Sequence, residues 1–287
     1  MNLVFIHGRA QGGKDPHFLE ESWRSAFEKG LRVAGLKMPP GVTIRFPFYG
    51  DRLDELVKQV DSSRVEYVAT RGGSLDDVES YFLYELLEEL RVGKGITEEE
   101  ILDELPPGPQ ERGPQNWVWM HAILRILDRT PLGEGLIKRF TKDVSVYLSY
   151  PAVAQALNAM VTPHIKAGRC VVVGHSLGSV IGYNSLLLCP ESKVTRYITV
   201  GSPLGIYTIK RKLSAPLCMP SCTGSWFNAR DPNDVVALHP LDAKYFGIIP
   251  AISNKEDVRN QTDNQHGIEG YLNDPVVASQ IYGALIS

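Results

Sequence analysis

A serine, an aspartate and a histidine, met in that order along the chain, are the residues best suited to do chemistry. Ser176 stands in Gly174-His175-Ser176-Leu177-Gly178. A serine hydroxyl is a poor nucleophile at neutral pH. It needs a base to take its proton, and the base needs an acid to orient it. On a parallel sheet such groups gather in loops at the carboxyl ends of strands. Two acids follow the apolar run 225–229, Asp231 and Asp234. Asp234 is the preferred acid, because Val235-Val236-Ala237 behind it would bury and stiffen its surroundings. Asp231 is the alternative, and the acid not used would cap the turn. Of the later histidines, His239 lies only five residues past Asp234, inside a turn. His266, in Asn264-Gln265-His266-Gly267 before the last helix, is the expected base.

A tetrahedral intermediate at Ser176 would carry a developing negative oxygen that needs preorganised donors. One expected donor is the Leu177 backbone N–H, at a helix start. The other is the N–H of Arg9 or Ala10, in the loop after the first strand. His7 is expected to orient that loop, and His175 to pack below the serine.

The elements that must position these groups follow from hydropathy. Cys170-Val171-Val172-Val173 is continuously apolar and β-branched, the pattern of a buried central strand. Ser179-Val180-Ile181-Gly182-Tyr183 opens a buried helix that ends before Pro190. Strand, G-x-S-x-G and helix in succession make a sharp turn with the hydroxyl at its tip. The flanking glycines are expected where a Cβ would strike a neighbouring strand or helix. Before this unit come a strand over 2–6, a helix opened by Asp15-Pro16 and running to about Lys29, a strand over 43–48, and a helix from Pro151 to about Lys166. After it come strands over 195–200 and 225–229 and a closing helix over 276–286. Strands separated by helices predict an α/β fold with a mostly parallel sheet.

Residues 51–150 differ. No strong strand pattern appears there, and residues 51–112 hold 17 acidic against 7 basic side chains. Three apolar stripes at helical spacing are visible: Leu83, Leu86, Leu87 and Leu90; Trp117, Met120, Leu124 and Leu127; Ile137, Phe140, Val144 and Tyr147. Pro106-Pro107-Gly108-Pro109 reads as a breaker between them. The expected organisation is a core over 1–50 and 151–287 with a helical cap or lid inserted over 51–150. The stripes are packing faces, some of which could line a substrate cavity.

The 287 residues suffice for a large core, and the net charge of −3 argues against a nucleic-acid binder relying on a basic surface. Met1-Asn2 runs straight into a short apolar strand with no basic n-region, so a signal peptide is not expected and a cytoplasmic location is. The uncharged run 170–190 is interrupted by Gly, His, Ser and Asn184, against an integral membrane span. Cys218 and Cys222, spaced C-x3-C, would suit a disulfide or half a metal site, but with no second pair at ligand spacing plain thiols are favoured.

Together, Val4-Phe5-Ile6-His7-Gly8, Gly174-His175-Ser176-Leu177-Gly178-Ser179, Gly201-Ser202-Pro203, Asn233-Asp234-Val235-Val236, and His266 before Gly270-Tyr271-Leu272 resemble the α/β-hydrolase superfamily, in its lipase- and esterase-like branch. The resemblance covers about residues 1–50 and 151–287. It implies an α/β-hydrolase fold lacking the usual first two strands, a Ser176–Asp234–His266 triad, and ester hydrolysis through an acyl-enzyme without cofactor or metal. The substrate implied is a small-molecule or lipid-like acyl ester. His7-Gly8 is followed by Arg-Ala where the family has more glycines. The same triad would also serve a thioester, amide or lactone, or acyl transfer, and a binding protein on this fold is the non-catalytic alternative.

Overall fold

The computed structural model describes the chain outside residues 9–11, 72–76, 107–116, 129–134 and 264, and side chains outside 62–79. Strand β1 (Asn2–Ile6) leads to helix α1 (Pro16–Val33) and strand β2 (Thr43–Arg45). Asp15 caps α1 by accepting from the His17 N–H, with Pro16 at the first helical position as predicted. The expected strand over 43–48 stops at Arg45, since Pro47 has no N–H for a ladder.

Helices α2 (Gly50–Arg71), α3 (Asp77–Gly93), α4 (Glu98–Asp103), α5 (Trp117–Leu127) and α6 (Leu136–Ser149) follow without a strand among the described residues. Leu86, Leu87 and Leu90 of the first stripe are buried, as are all four residues of the third. In the second stripe Met120 and Leu127 are buried and Leu124 packs against the core, but Trp117 departs. Trp117 is 45% exposed, and the buried tryptophan is Trp119, whose Nε1 donates to Glu88 at 3.0 Å. A buried indole needs an acceptor for its N–H, and the helix is phased to supply one. The breaker at 107–109 lies outside the described residues.

Then come α7 (Pro151–Lys166), β3 (Cys170–His175), α8 (Leu177–Leu187), β4 (Val194–Val200), the short α9 (Tyr207–Lys210), β5 (Trp226–Ala229), β6 (Ser253–Lys255), α10 (Ile268–Leu272) and α11 (Pro275–Ile286). Among the described residues the six strands form one all-parallel sheet, ordered β2-β1-β3-β4-β5-β6. The chain is an α/β fold. Alternate strand residues divide two apolar cores. Leu3, Phe5, Val171, Val173, Ile198 and Val200 face α1 and α11. Val4, Ile6, Val172 and Tyr197 share the other core with α7, α8 and the helices of 51–150.

The strand order reverses between β1 and β3. Parallel sheets place ligands at the carboxyl edge beside such a reversal. Gly8 follows β1 and Ser176 follows β3, so both lie at this switch point. No helix of the described residues is long and apolar enough to cross a membrane. All four cysteines carry free thiols, with Cys218 exposed and Cys170, Cys189 and Cys222 buried.

Candidate active site

Ser176 occupies a turn so tight that its backbone sits at φ 55°, ψ −130°, a region that side chains other than glycine rarely adopt. Neighbours over-determine this geometry. The Ser176 amide donates to the Val200 carbonyl at 3.2 Å, and its own carbonyl accepts from the Ser179 amide and hydroxyl at 2.9 and 2.6 Å. The flanking glycines are demanded by backbone. A Cβ on Gly178 would lie 2.3 Å from the carbonyl oxygens of both Ile6 and His7. A Cβ on Gly174 would lie 2.8 Å from the Ser179 Cα. One glycine therefore lets α8 press on β1, and the other lets α8 double back over its own strand.

Ser176, His266 and Asp234 meet in one line of hydrogen bonds. His266 Nε2 is 2.9 Å from Ser176 Oγ, and His266 Nδ1 is 2.8 Å from Asp234 Oδ2. Asp234 is ionised, so Nδ1 donates and Nε2 is left to accept the serine proton. Burial pushes the Asp234 carboxyl up. The His266 charge and hydrogen bond, the Tyr271 hydroxyl and the Val236 N–H outweigh it and hold the carboxyl below its ordinary value. Asp234 Oδ1 accepts from the Val236 and Ala237 amides at 2.8 and 3.3 Å. These are the residues of the apolar turn from which its rigidity was expected.

Asp231 is engaged elsewhere. Its Oδ1 accepts from the Asn233 N–H and its Oδ2 from the Asn260 N–H, both at 2.7 Å. It caps the turn and ties the acid loop to the segment that carries His266. His239 stacks on Tyr245 with ring centroids 3.9 Å apart and lies 3.8 Å from Glu89.

His7 and His175 hold the frame. His7 is fully buried, and its Nδ1 donates to the Gly8 carbonyl at 2.6 Å while its Nε2 accepts from the Tyr49 N–H at 3.1 Å. The Tyr49 hydroxyl donates to the His7 carbonyl, and the two rings stack at 3.9 Å. Burial lowers the His7 pKa to about 4, so the ring is neutral and ties Gly8 to Tyr49. His175 donates from Nε2 to the His266 carbonyl at 2.7 Å, with the two rings 4.7 Å apart. Burial, and then the neighbouring His266, lower its pKa to about 3. It sits beneath His266 as much as beneath the serine.

Two partners were not legible in advance. Tyr271, on α10, donates from its hydroxyl to Asp234 Oδ2 at 2.6 Å and accepts from the Asp231 N–H at 3.2 Å. Asn260 donates from Nδ2 to the Gly267 carbonyl and accepts on Oδ1 from the Thr262 N–H and hydroxyl, so it pins both ends of the turn bearing His266. An aromatic in a helix reads as core and an asparagine in a polar loop reads as a turn. No spacing distinguished either.

Leu177 is the first residue of α8, where a backbone N–H has no partner within the helix and the dipole is positive. Gly8 approaches from the other side: a Cβ on it would lie 3.0 Å from the Ser176 Cβ. Arg9 and Ala10, the other expected donors, lie outside the described residues. Ser176 is fully buried and His266 is 5% exposed. Helix α3 is fastened to the loops around this edge. Glu89 accepts from the Tyr207 and Thr208 amides at 2.7 and 2.9 Å and from the Thr208 hydroxyl. Lys94, just past α3, donates to the Asn233 carbonyl at 3.0 Å, next to Asp234. Such an arrangement can move a proton from a serine hydroxyl to an imidazole while a buried carboxylate steadies the imidazolium. Comparison with models of known protein families, with curated proteins and with solved structures found no match to this chain.

Proposed function

We propose that this protein is a serine-dependent hydrolase of carboxylic esters, of the α/β-hydrolase type, acting through Ser176, His266 and Asp234. The observation that carries the reading is the unbroken line from Ser176 Oγ through both nitrogens of His266 to Asp234 Oδ2, at 2.9 and 2.8 Å. In the first half-reaction Ser176 Oγ attacks the ester carbonyl carbon as its proton passes to His266 Nε2. The carbonyl oxygen takes the negative charge, facing the Leu177 N–H and a second amide from the loop after Gly8. Collapse of this intermediate expels the alcohol, which takes the proton from Nε2. Water then gives its proton to Nε2 and attacks the acyl carbon, and the second collapse frees the acid and returns the proton to Oγ. Asp234 stays ionised throughout and keeps Nε2 the accepting nitrogen. None of these steps calls on a metal or cofactor.

The substrate in this reading is a small-molecule or lipid-like acyl ester met in the cytoplasm. The helices of 51–150 act as the cap over the carboxyl edge. Ser176 is fully buried, so in this reading the cap shifts to admit the acyl group. The test is turnover of esters sharing one alcohol with acyl chains of increasing length, with a burst of alcohol release as the sign of an acyl-enzyme. Ser176→Ala and His266→Ala should each lose on the order of 10⁶-fold in kcat, and Asp234→Ala somewhat less. Parent-like turnover in Ser176→Ala would overturn the proposal.

A further inference from the structure

We infer that Tyr271 is a fourth, positioning member of the line, whose hydroxyl shares Asp234 Oδ2 with His266 and sets how strongly that carboxylate supports the imidazole. The inference rests on the reading of His266 as the base.

Three independent features carry it. First, the hydroxyl donates to the same carboxylate oxygen that receives the His266 Nδ1 proton, at 2.6 against 2.8 Å. Its effect falls on the oxygen that faces the base. Second, both valences of this hydroxyl are used, because it also accepts from the Asp231 N–H at 3.2 Å. Its proton therefore has one direction, toward Asp234, and the bond links the two acids of the loop. Third, the backbone is shaped for the ring. Gly201, directly after β4, adopts φ +56°, and a Cβ there would lie 2.9 Å from Tyr271 Cε2 and 3.2 Å from Asp234 Oδ2. A side chain at that position would displace the phenol from the acid.

The chemistry follows from sharing. A second short donor on Oδ2 disperses its negative charge and weakens the pull on the imidazolium, while it holds the oxygen in line with Nδ1. The phenol is well suited to this. Burial first, and then the Asp234 charge, hold its proton on well above the ordinary tyrosine range, so it remains a donor at any working pH. The titratable and charged groups around the pair are His175 from β3, Asp231 in the acid loop, Lys94 beyond α3, and, further back, Arg230 and His7. Among the described residues His266 and Tyr271 are the donors to Oδ2, so substitution at Tyr271 alone changes the donors on that oxygen from two to one.

The test is the second-order rate of Ser176 labelling by a small fluorophosphonate from pH 5 to 9, in the parent, Tyr271→Phe, Asp234→Asn and the double variant. With one donor gone, Tyr271→Phe should label about tenfold more slowly on the plateau, and the acid limb of its profile should move to higher pH by roughly half a unit. In the Asp234→Asn background the same substitution should change the rate less than twofold, because its target has gone. An unmoved acid limb, or an equal loss in both backgrounds, would overturn the inference and reduce Tyr271 to a core aromatic. If Tyr271→Phe does not fold, 3,5-difluorotyrosine at 271 keeps ring and hydroxyl but donates more strongly. Its limb should move to lower pH, and an unmoved limb overturns the inference. If the folded parent is not labelled at all, the hydrolase reading fails on its own. The low-field NMR signal of the His266 Nδ1 proton then decides the Tyr271 assignment, which requires that the signal differ between parent and difluorotyrosine protein.

Discussion

The carboxyl edge of the sheet and the helices of 51–150 are built by different rules. At the sheet edge, backbone meets backbone. Gly178 faces two carbonyl oxygens of β1 and its following residue, Gly174 faces the start of α8, and Ser176 is bent into a strained turn between them. In the helical stretch, side chain meets side chain. Leu86, Leu90, Phe140 and Val144 fill a common core, and a few polar fastenings such as Glu89 and Lys94 join α3 to the loops of the sheet. The first region has almost no freedom to accept change, because peptide groups cannot repack. The second can absorb change through rotamers. The proposed chemistry would use the first region, where a serine and an imidazole can be held to within the tolerance that proton transfer requires.

One pair of substitutions would break or sharpen this contrast most strongly. Gly178→Ala should cost about 3 kcal/mol or more, since its Cβ meets two fixed carbonyls. Gly93→Ala, at the end of α3, meets the Leu238 side chain, which is not backbone and can shift, and should cost about 1 kcal/mol or less. Denaturant unfolding of the two variants measures both, and equal costs would erase the distinction.

Acid should act next, and at the sheet edge. Burial lowers His7 to about 4 and His175 to about 3, so the folded protein resists protons that the unfolded chain accepts near 6.5. Their contribution is therefore complete above pH 6.5 and is lost as pH falls from there toward 4 and 3, by at most roughly 8 kcal/mol in all. Asp234, held low, adds a loss at still lower pH of the same sign. Unfolding free energy measured from pH 7 to 4 should slope downward, and His175→Gln should flatten that slope.

A more local effect belongs to a fastening. Glu89→Gln keeps the shape but weakens three charge-assisted hydrogen bonds to Tyr207 and Thr208, for a loss of about 1–2 kcal/mol. Hydrogen exchange at the Tyr207 and Thr208 amides should rise in this variant while that of β3 stays unchanged.

The same contrast explains what could be read from the residues alone. The β3–turn–α8 unit is legible because Gly174 and Gly178 answer to nearby backbone, and the apolar run before them has only one use. Asp234 could be preferred over Asp231 because Val235-Val236-Ala237 marks a buried turn. His266 could be found by chain order. Strand β6 was not legible: Ser253-Asn254-Lys255 is a three-residue polar edge strand, recruited by pairing with β5 rather than by its own hydropathy. In α5 only Trp117 departs from the expected stripe: Trp117 and Trp119 flank the same apolar face, and the acceptor on Glu88 draws Trp119 inside. Tyr271 and Asn260 act across long sequence separations, so no local pattern exposes them.

The most direct measurement is the intact mass of the protein after exposure to a fluorophosphonate, with Ser176→Ala alongside and a second pair of samples in mild detergent to ease access. One adduct on the parent and none on Ser176→Ala is the predicted result, and it would establish Ser176 as an activated nucleophile. A folded parent that takes no adduct in either condition, or an equal adduct on Ser176→Ala, would contradict the account.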